Sequence, residues 1–141
     1  MPLKPILIAE DNPDDAEIIR KIFAQSSVQN PLVFVRDGDE AVAYLKREEL
    51  FANPEHSPTP AMLMLDLNMP RMGGLQFLAW LRTQPRPTFP IVILTGYHDL
   101  SRMKDAYQLG AYSFLLKPVE RNDLAAFVQQ FKGIEIGGPA L

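Results

Sequence analysis

Short apolar runs of three or four residues recur five times along this 141-residue chain, each followed by a polar turn and then by a helix-like pattern. They are Ile6–Ala9, Leu32–Val35, Met62–Leu65, Ile91–Leu94 and Phe114–Leu116. Runs so short and so uniformly apolar read as strands buried on both faces, which is the situation of a parallel sheet covered by helices. The intervening helical patterns are predicted over about Asp14 to Ala24, through Ala41, Val42 and Leu45 to about Leu50, from Gly74 through Leu75, Phe77, Leu78 and Leu81, and over about Asp99 to Leu109 with Gly110 as the terminating cap. Leu124, Phe127, Val128 and Phe131, at i, i+3, i+4 and i+7, mark a fifth. Asp14 and Asp15 lie in the first turn of the first helix, where negative charge complements the helix dipole. Asp37-Gly38-Asp39 reads as a turn, and Phe51 to Pro60, with three prolines, as a long loop. Five β-α units with short connections predict one doubly wound parallel α/β sheet with helices on both faces. The expected domain is 1–132, followed by a loose tail over 133–141 that carries no periodicity.

The strand ends carry the chemistry. Ile6–Ala9 runs into Glu10-Asp11, Met62–Leu65 into Asp66, Ile91–Leu94 into Thr95, and Phe114–Leu116 into Lys117. In an open α/β sheet the carboxyl ends of the strands line the crevice where ligands bind, so three acids, a hydroxyl and an ammonium are expected to converge there. Each residue alone has a plain explanation as a turn or cap. All of them together, at the ends of successive apolar strands, do not.

Three converging carboxylates repel one another and call for a cation. Oxygen-only donors, with no Cys in the chain and no His at ligand spacing, select a hard ion: Mg²⁺, or Mn²⁺. Glu10, Asp11, Asp66 and the backbone carbonyl of Asn68 supply part of such a shell, leaving positions for water and a phosphoryl oxygen. An ion held so openly suits phosphoryl chemistry, with Asp66 as the nucleophile that forms an aspartyl phosphate and Lys117 and Thr95 binding the phosphoryl oxygens. His56 and His98 read as solvated loop residues, and Trp80 as packing. A net charge of -3 argues against nucleic acid as a partner, and no run approaches the length of a membrane span. The absence of cysteine is compatible with the cytoplasm.

The order Glu10-Asp11, Asp66, Thr95, Lys117-Pro118 resembles the receiver domain of two-component response regulators over about residues 5 to 132. The Asp66-Leu67-Asn68-Met69-Pro70 segment with Gly73-Gly74, and the Glu10-Asp11-Asn12-Pro13 opening, are similar to the small regulators that partner bacterial and cyanobacterial phytochrome kinases. The resemblance implies a flavodoxin-like (βα)5 fold with strand order 2-1-3-4-5. It implies that Asp66 is the phosphoacceptor, that Asp11, Asp66 and the Asn68 carbonyl ligate Mg²⁺ directly with Glu10 acting through water, and that Lys117-Pro118 is a cis peptide. Phe114 matches the switch aromatic. The implied partner is a sensor histidine kinase, possible members being of phytochrome type, and the domain catalyses only its own phosphorylation and dephosphorylation. Tyr97, two residues after Thr95, is a bulky departure, expected to lie over the site and slow loss of the phosphoryl group. The output face is expected on the fourth helix, fifth strand and fifth helix, with Met103, Tyr107, Tyr112 and Phe114 forming an apolar patch for a partner or a homodimer.

Two rivals remain at this level. A degenerate receiver would act as a phosphorylation-independent adaptor. A Mg²⁺-dependent phosphatase of the haloacid-dehalogenase class would want a second Asp where this chain has Asn68.

Overall fold

The computed structural model describes residues 3–48, 51–53, 58–131 and 133–134. His56 with the middle of the proline loop (54–57), the expected end of the second helix at Leu50 and the tail from 135 onward lie outside the described residues. Five parallel strands, β1 (Ile6–Ala9), β2 (Leu32–Val35), β3 (Met62–Asp66), β4 (Ile91–Thr95) and β5 (Ser113–Leu116), form one sheet in the order β2-β1-β3-β4-β5. The parallel sheet is what the alternation predicts, and its flavodoxin-like order is the one the resemblance implies. The helices are α1 (Pro13–Ala24), α2 (Gly38–Lys46), α3 (Gly74–Leu81), α4 (Met103–Gln108) and α5 (Arg121–Val128).

Strand alternation sorts the apolar side chains into two cores. Leu7, Leu63, Leu65, Ile91 and Ile93 face one way and pack with Tyr44, Phe77, Leu78, Met103 and Ala106 of α2, α3 and α4. Ile6, Ile8, Met62, Met64, Val92, Leu94 and Leu115 face the other way, against Ile19, Ile22 and Phe23 of α1 and Leu124 and Val128 of α5. Three central strands are fully buried, which is why their sequences do not alternate with polar residues.

Local signals place the helix starts. Asn12 caps α1, its Oδ1 accepting from Asp14 N at 2.8 Å and Asp15 N at 3.0 Å, with Pro13 in the first turn. Asp37 is not a turn residue but the N-cap of α2: its buried carboxylate accepts from Glu40 N at 2.8 Å and holds the Arg71 guanidinium. α2 stops at Lys46, with Arg47 in the left-handed region at φ 56. At Gly74 a Cβ would come within 2.7 Å of the Asp66 carbonyl oxygen and of Leu67 Cα, so the start of α3 lies against the end of β3 only because the residue is glycine.

The fourth helix departs from expectation. Residues Tyr97–Arg102 form a 3-10 helix and α4 begins only at Met103. Met103 and Ala106, three residues apart in the same α-helix, share its inward face; Met103 is 5% exposed and belongs to the core, and it is not part of an output surface. Gly110, at φ 109, ends the helix as expected.

Candidate functional site: an acidic pocket at the strand ends

β1 and β3 are neighbours that lead their helices to opposite faces of the sheet, and the crevice at their carboxyl ends is where such sheets bind ligands. Ala9 lies beside Leu65, so the next step along both strands brings Glu10 beside Asp66. Glu10, Asp66 and Lys117 continue the alternation of Ile8, Met64 and Leu115 toward the α1 and α5 face. β4 and β5 pair Thr95 with Leu116, and Lys117 N donates to the Thr95 carbonyl at 2.7 Å, tying the two strand ends together. The Lys117–Pro118 peptide is cis.

One oxygen from each of Glu10, Asp11 and Asp66 lies within 4.8 Å of the others. Glu10 and Asp66 are buried and Asp11 is exposed at the mouth. The Lys117 ammonium stands 2.7 Å from Glu10 Oε1 and 3.1 Å from Asp66 Oδ2. The Glu10 contact is close in distance but poorly directed, so Oε1 is a buried acceptor without a hydrogen bond. Asp66 Oδ1 accepts from Asn68 N at 3.1 Å.

The charges are mutually tuned. Burial, followed by the proximity of Asp66, pushes the Glu10 carboxyl up to about 8, against the opposing pull of Lys117. Partial desolvation, assisted by Asp66, raises Asp11 as well. Burial on its own would lower Lys117, but its contacts with Glu10 and Asp66 outweigh that and hold the ammonium charged. A pocket that brings three carboxyl groups within 4.8 Å, raises Glu10 and leaves its Oε1 buried without a hydrogen-bond donor fits a hard divalent ion. The donors are all oxygen, as Mg²⁺ or Mn²⁺ requires.

Thr95 is buried at the end of β4, its hydroxyl making only a long 3.3 Å contact to the Gly96 carbonyl. Phe114 is half-buried and packs toward α4. Tyr97 is 74% exposed, so its ring extends into solvent and does not cover the pocket as expected. Tyr107 and Tyr112 are exposed at 45% and 63%, and the Tyr112 ring meets Phe131 edge-on at 5.3 Å.

Two contacts went unread in the sequence. Asp15, expected only to complement the helix dipole, places Oδ2 3.2 Å from Lys117 Nζ. The Asn68 amide is held by the 3-10 segment: Arg102 Nη1 donates to its Oδ1 at 2.6 Å and its Nδ2 donates to Asp99. Asn68 thereby joins the loop after β3 to the turn that follows Thr95. Neither contact carries a local signal, since each joins residues far apart along the chain.

A family model of the response regulator receiver domain matches residues 6–129. The response regulator Rcp1 of Synechocystis sp. is 33% identical over 135 residues, spanning 95% of this chain and 88% of that protein. Its Mn²⁺-bound crystal structure superimposes with a TM-score of 0.75 at 29% identity, covering 97% of this chain and 99% of the other. The bacteriophytochrome response regulator RtBRR gives a TM-score of 0.81 at 34% identity over 99% of this chain and 82% of its own. The phosphorylated form of the cyanobacterial phytochrome response regulator RcpA gives 0.75 at 32%, covering 91% and 90%. With an acidic crevice on a 2-1-3-4-5 sheet and a family match over nearly its full length, the chain belongs to the response regulator receiver domains of two-component signalling.

Proposed function

We propose that Asp66 accepts a phosphoryl group from a sensor histidine kinase in a Mg²⁺-dependent reaction. The observation that carries this reading is the convergence of Glu10, Asp11 and Asp66 oxygens within 4.8 Å, with Lys117 3.1 Å from Asp66. A carboxylate oxygen of Asp66 attacks phosphorus as the P–N bond of the phosphohistidine breaks. Asp11, Asp66 and the Asn68 carbonyl would hold the cation, with Glu10 acting through water, and the ion would neutralise charge on the transferring group. Lys117 stabilises the phosphoryl oxygens. The Thr95 hydroxyl, weakly held at rest, turns toward them, and Phe114 follows into the space released. Asn68 has its side chain occupied by Arg102 and Asp99 and is no proton shuttle, which counts against the phosphatase rival. A phytochrome-type kinase is the proposed donor, by the likeness to RtBRR and RcpA.

Incubation with Mg²⁺ and a small phosphodonor, followed by intact mass and peptide mapping, tests the reading. The expected result is one added phosphate that maps to Asp66 and is absent when the metal is chelated. Label that persists without metal, or that maps elsewhere, would refute it.

The output face is proposed to run from Tyr107 across Tyr112 toward Phe127 and Phe131, whose rings lie 5.1 Å apart. Tyr107→Glu and Tyr112→Glu should leave labelling intact and weaken a dimer or partner contact by about 2 kcal/mol, the loss typical of a buried interface aromatic. Met103→Glu, by contrast, puts a charge into the core and should lower the melting temperature sharply. Sedimentation and thermal melts of the three variants separate the two effects.

A further inference from the structure

Lysine has three N–H donors, and the Lys117 ammonium has three carboxylate neighbours: Glu10 at 2.7 Å, Asp66 at 3.1 Å and Asp15 at 3.2 Å. Two of these belong to the reacting pocket. On the phosphoryl-transfer reading, Asp66 becomes an acyl phosphate and Glu10 would serve the cation, so neither keeps its hold on the ammonium through the cycle. Asp15 stands apart from the cluster of Glu10, Asp11 and Asp66, on the first turn of α1. It is the one neighbour whose chemistry does not change.

The fold builds this contact on purpose-fit supports. Asn12 accepts from the Asp15 backbone N–H at 3.0 Å, which fixes where the residue leaves the helix start. Strand alternation sends Lys117 toward the α1 side of the sheet, where Ile19 and Ile22 of the same helix are packed. The pair is half-shielded: the Asp15 side chain is 32% exposed and that of Lys117 is 19% exposed. A charge-assisted hydrogen bond in such a place is stronger than a fully solvated pair.

We propose that Asp15 is the positioning residue for Lys117, anchoring the ammonium from α1 so that it stays aimed at the phosphoryl group after Glu10 and Asp66 are engaged. The inference rests on the phosphoryl-transfer reading. It makes a prediction opposite to that of simple charge. Removing an acid near an anionic group ought to ease phosphoryl uptake and lengthen its lifetime. Removing an anchor ought to shorten the lifetime, because the ammonium is no longer held where it offsets the phosphoryl charge.

The test compares Asp15→Ala, Asp15→Asn, Lys117→Ala, the double variant Asp15→Ala/Lys117→Ala, and Asp14→Ala, an exposed acid one residue away. Each is labelled with acetyl phosphate and Mg²⁺, and the decay of the added mass is followed. In parallel, unphosphorylated protein is treated with an amine-acylating reagent, and modification of Lys117 is measured relative to exposed Lys104. Asp15→Ala should shorten the phosphoryl lifetime by about fivefold and raise Lys117 acylation by a similar factor, as expected for loss of one charge-assisted bond on a half-shielded pair. Asp15→Asn, which keeps the acceptor oxygen, should fall between it and wild type. Asp14→Ala should change neither reading, and Asp15→Ala should add nothing in the Lys117→Ala background. The proposal is overturned if Asp15→Ala lengthens the lifetime, if Asp14→Ala matches it, or if Lys117 acylation is unchanged. A wild-type chain that takes up no phosphoryl group while Asp15→Ala still exposes Lys117 would defeat the phosphoryl reading and leave the anchor standing. Ala keeps the N–H that Asn12 caps, so the helix start survives in every variant.

Discussion

Asp66→Asn should take up no phosphoryl group at all, with label below detection under conditions that saturate the wild type. The amide is nearly isosteric with the carboxylate, can still accept from Asn68 N, and lacks only the anionic nucleophile. Its fold should persist. The substitution removes the repulsion that raises Glu10 and Asp11, and with it the attraction that steadies Lys117, so the two changes offset and stability should stay within about 1 kcal/mol of wild type. Intact mass gives the first reading and a thermal melt the second. One added phosphate on the variant would place the nucleophile elsewhere.

Metal binding should be steeply pH-dependent, and its sign follows from Glu10. In the metal-free protein this carboxyl is pushed up to about 8, whereas in the unfolded chain it titrates near 4.5. Between those values the native state holds a proton that the unfolded state has lost. Metal-free stability should accordingly fall as pH rises across that window and level off above it. Mg²⁺ needs the ionised carboxylate and displaces the proton, so its affinity should climb by up to about tenfold per pH unit toward 8 and then flatten. The stabilisation that Mg²⁺ confers on the melt should grow over the same range, since the ion binds the native pocket and not the unfolded chain. Lys117 stays charged throughout and adds no slope. Asp11→Ala should remove most of the Mg²⁺ shift at every pH, and Glu10→Ala should remove less of it while abolishing its pH dependence. Calorimetric titration from pH 6 to 9 decides it, and a flat profile in the wild type would show that Glu10 is not linked to the metal.

Much of this molecule could be read before any coordinates. Ile6–Ala9 and Leu32–Val35 are strands over the very residues expected, and the other three differ by at most one residue. The reason is that short, fully apolar runs bounded by Pro, Gly and Asp leave a parallel-sheet strand few alternatives. Placing Glu10, Asp11, Asp66, Thr95 and Lys117 at one rim required only strand ends and parallel order, and the structure brings the three acids together with Lys117 beside Glu10 and Asp66. The start of α1 and the stop after α4 were legible too, because Asn12 and Gly110 act through their nearest neighbours.

What the sequence by itself determined, then, is everything set by local chemistry and by the parity of strands: the alternation, the parallel sheet it implies, and the oxygen-lined crevice, with the strand order coming from the family resemblance. Only the tertiary structure decided which side chains meet across elements. Packing put Met103 against the core beside Ala106 and left Tyr97, at the start of the 3-10 segment, in solvent. The clamp of Asn68 by Asp99 and Arg102, and the anchor of Lys117 on Asp15, join residues up to 102 positions apart. Such contacts depend on how far each helix slides along its sheet, a matter of ångströms that packing of the whole core sets and no local run of residues encodes.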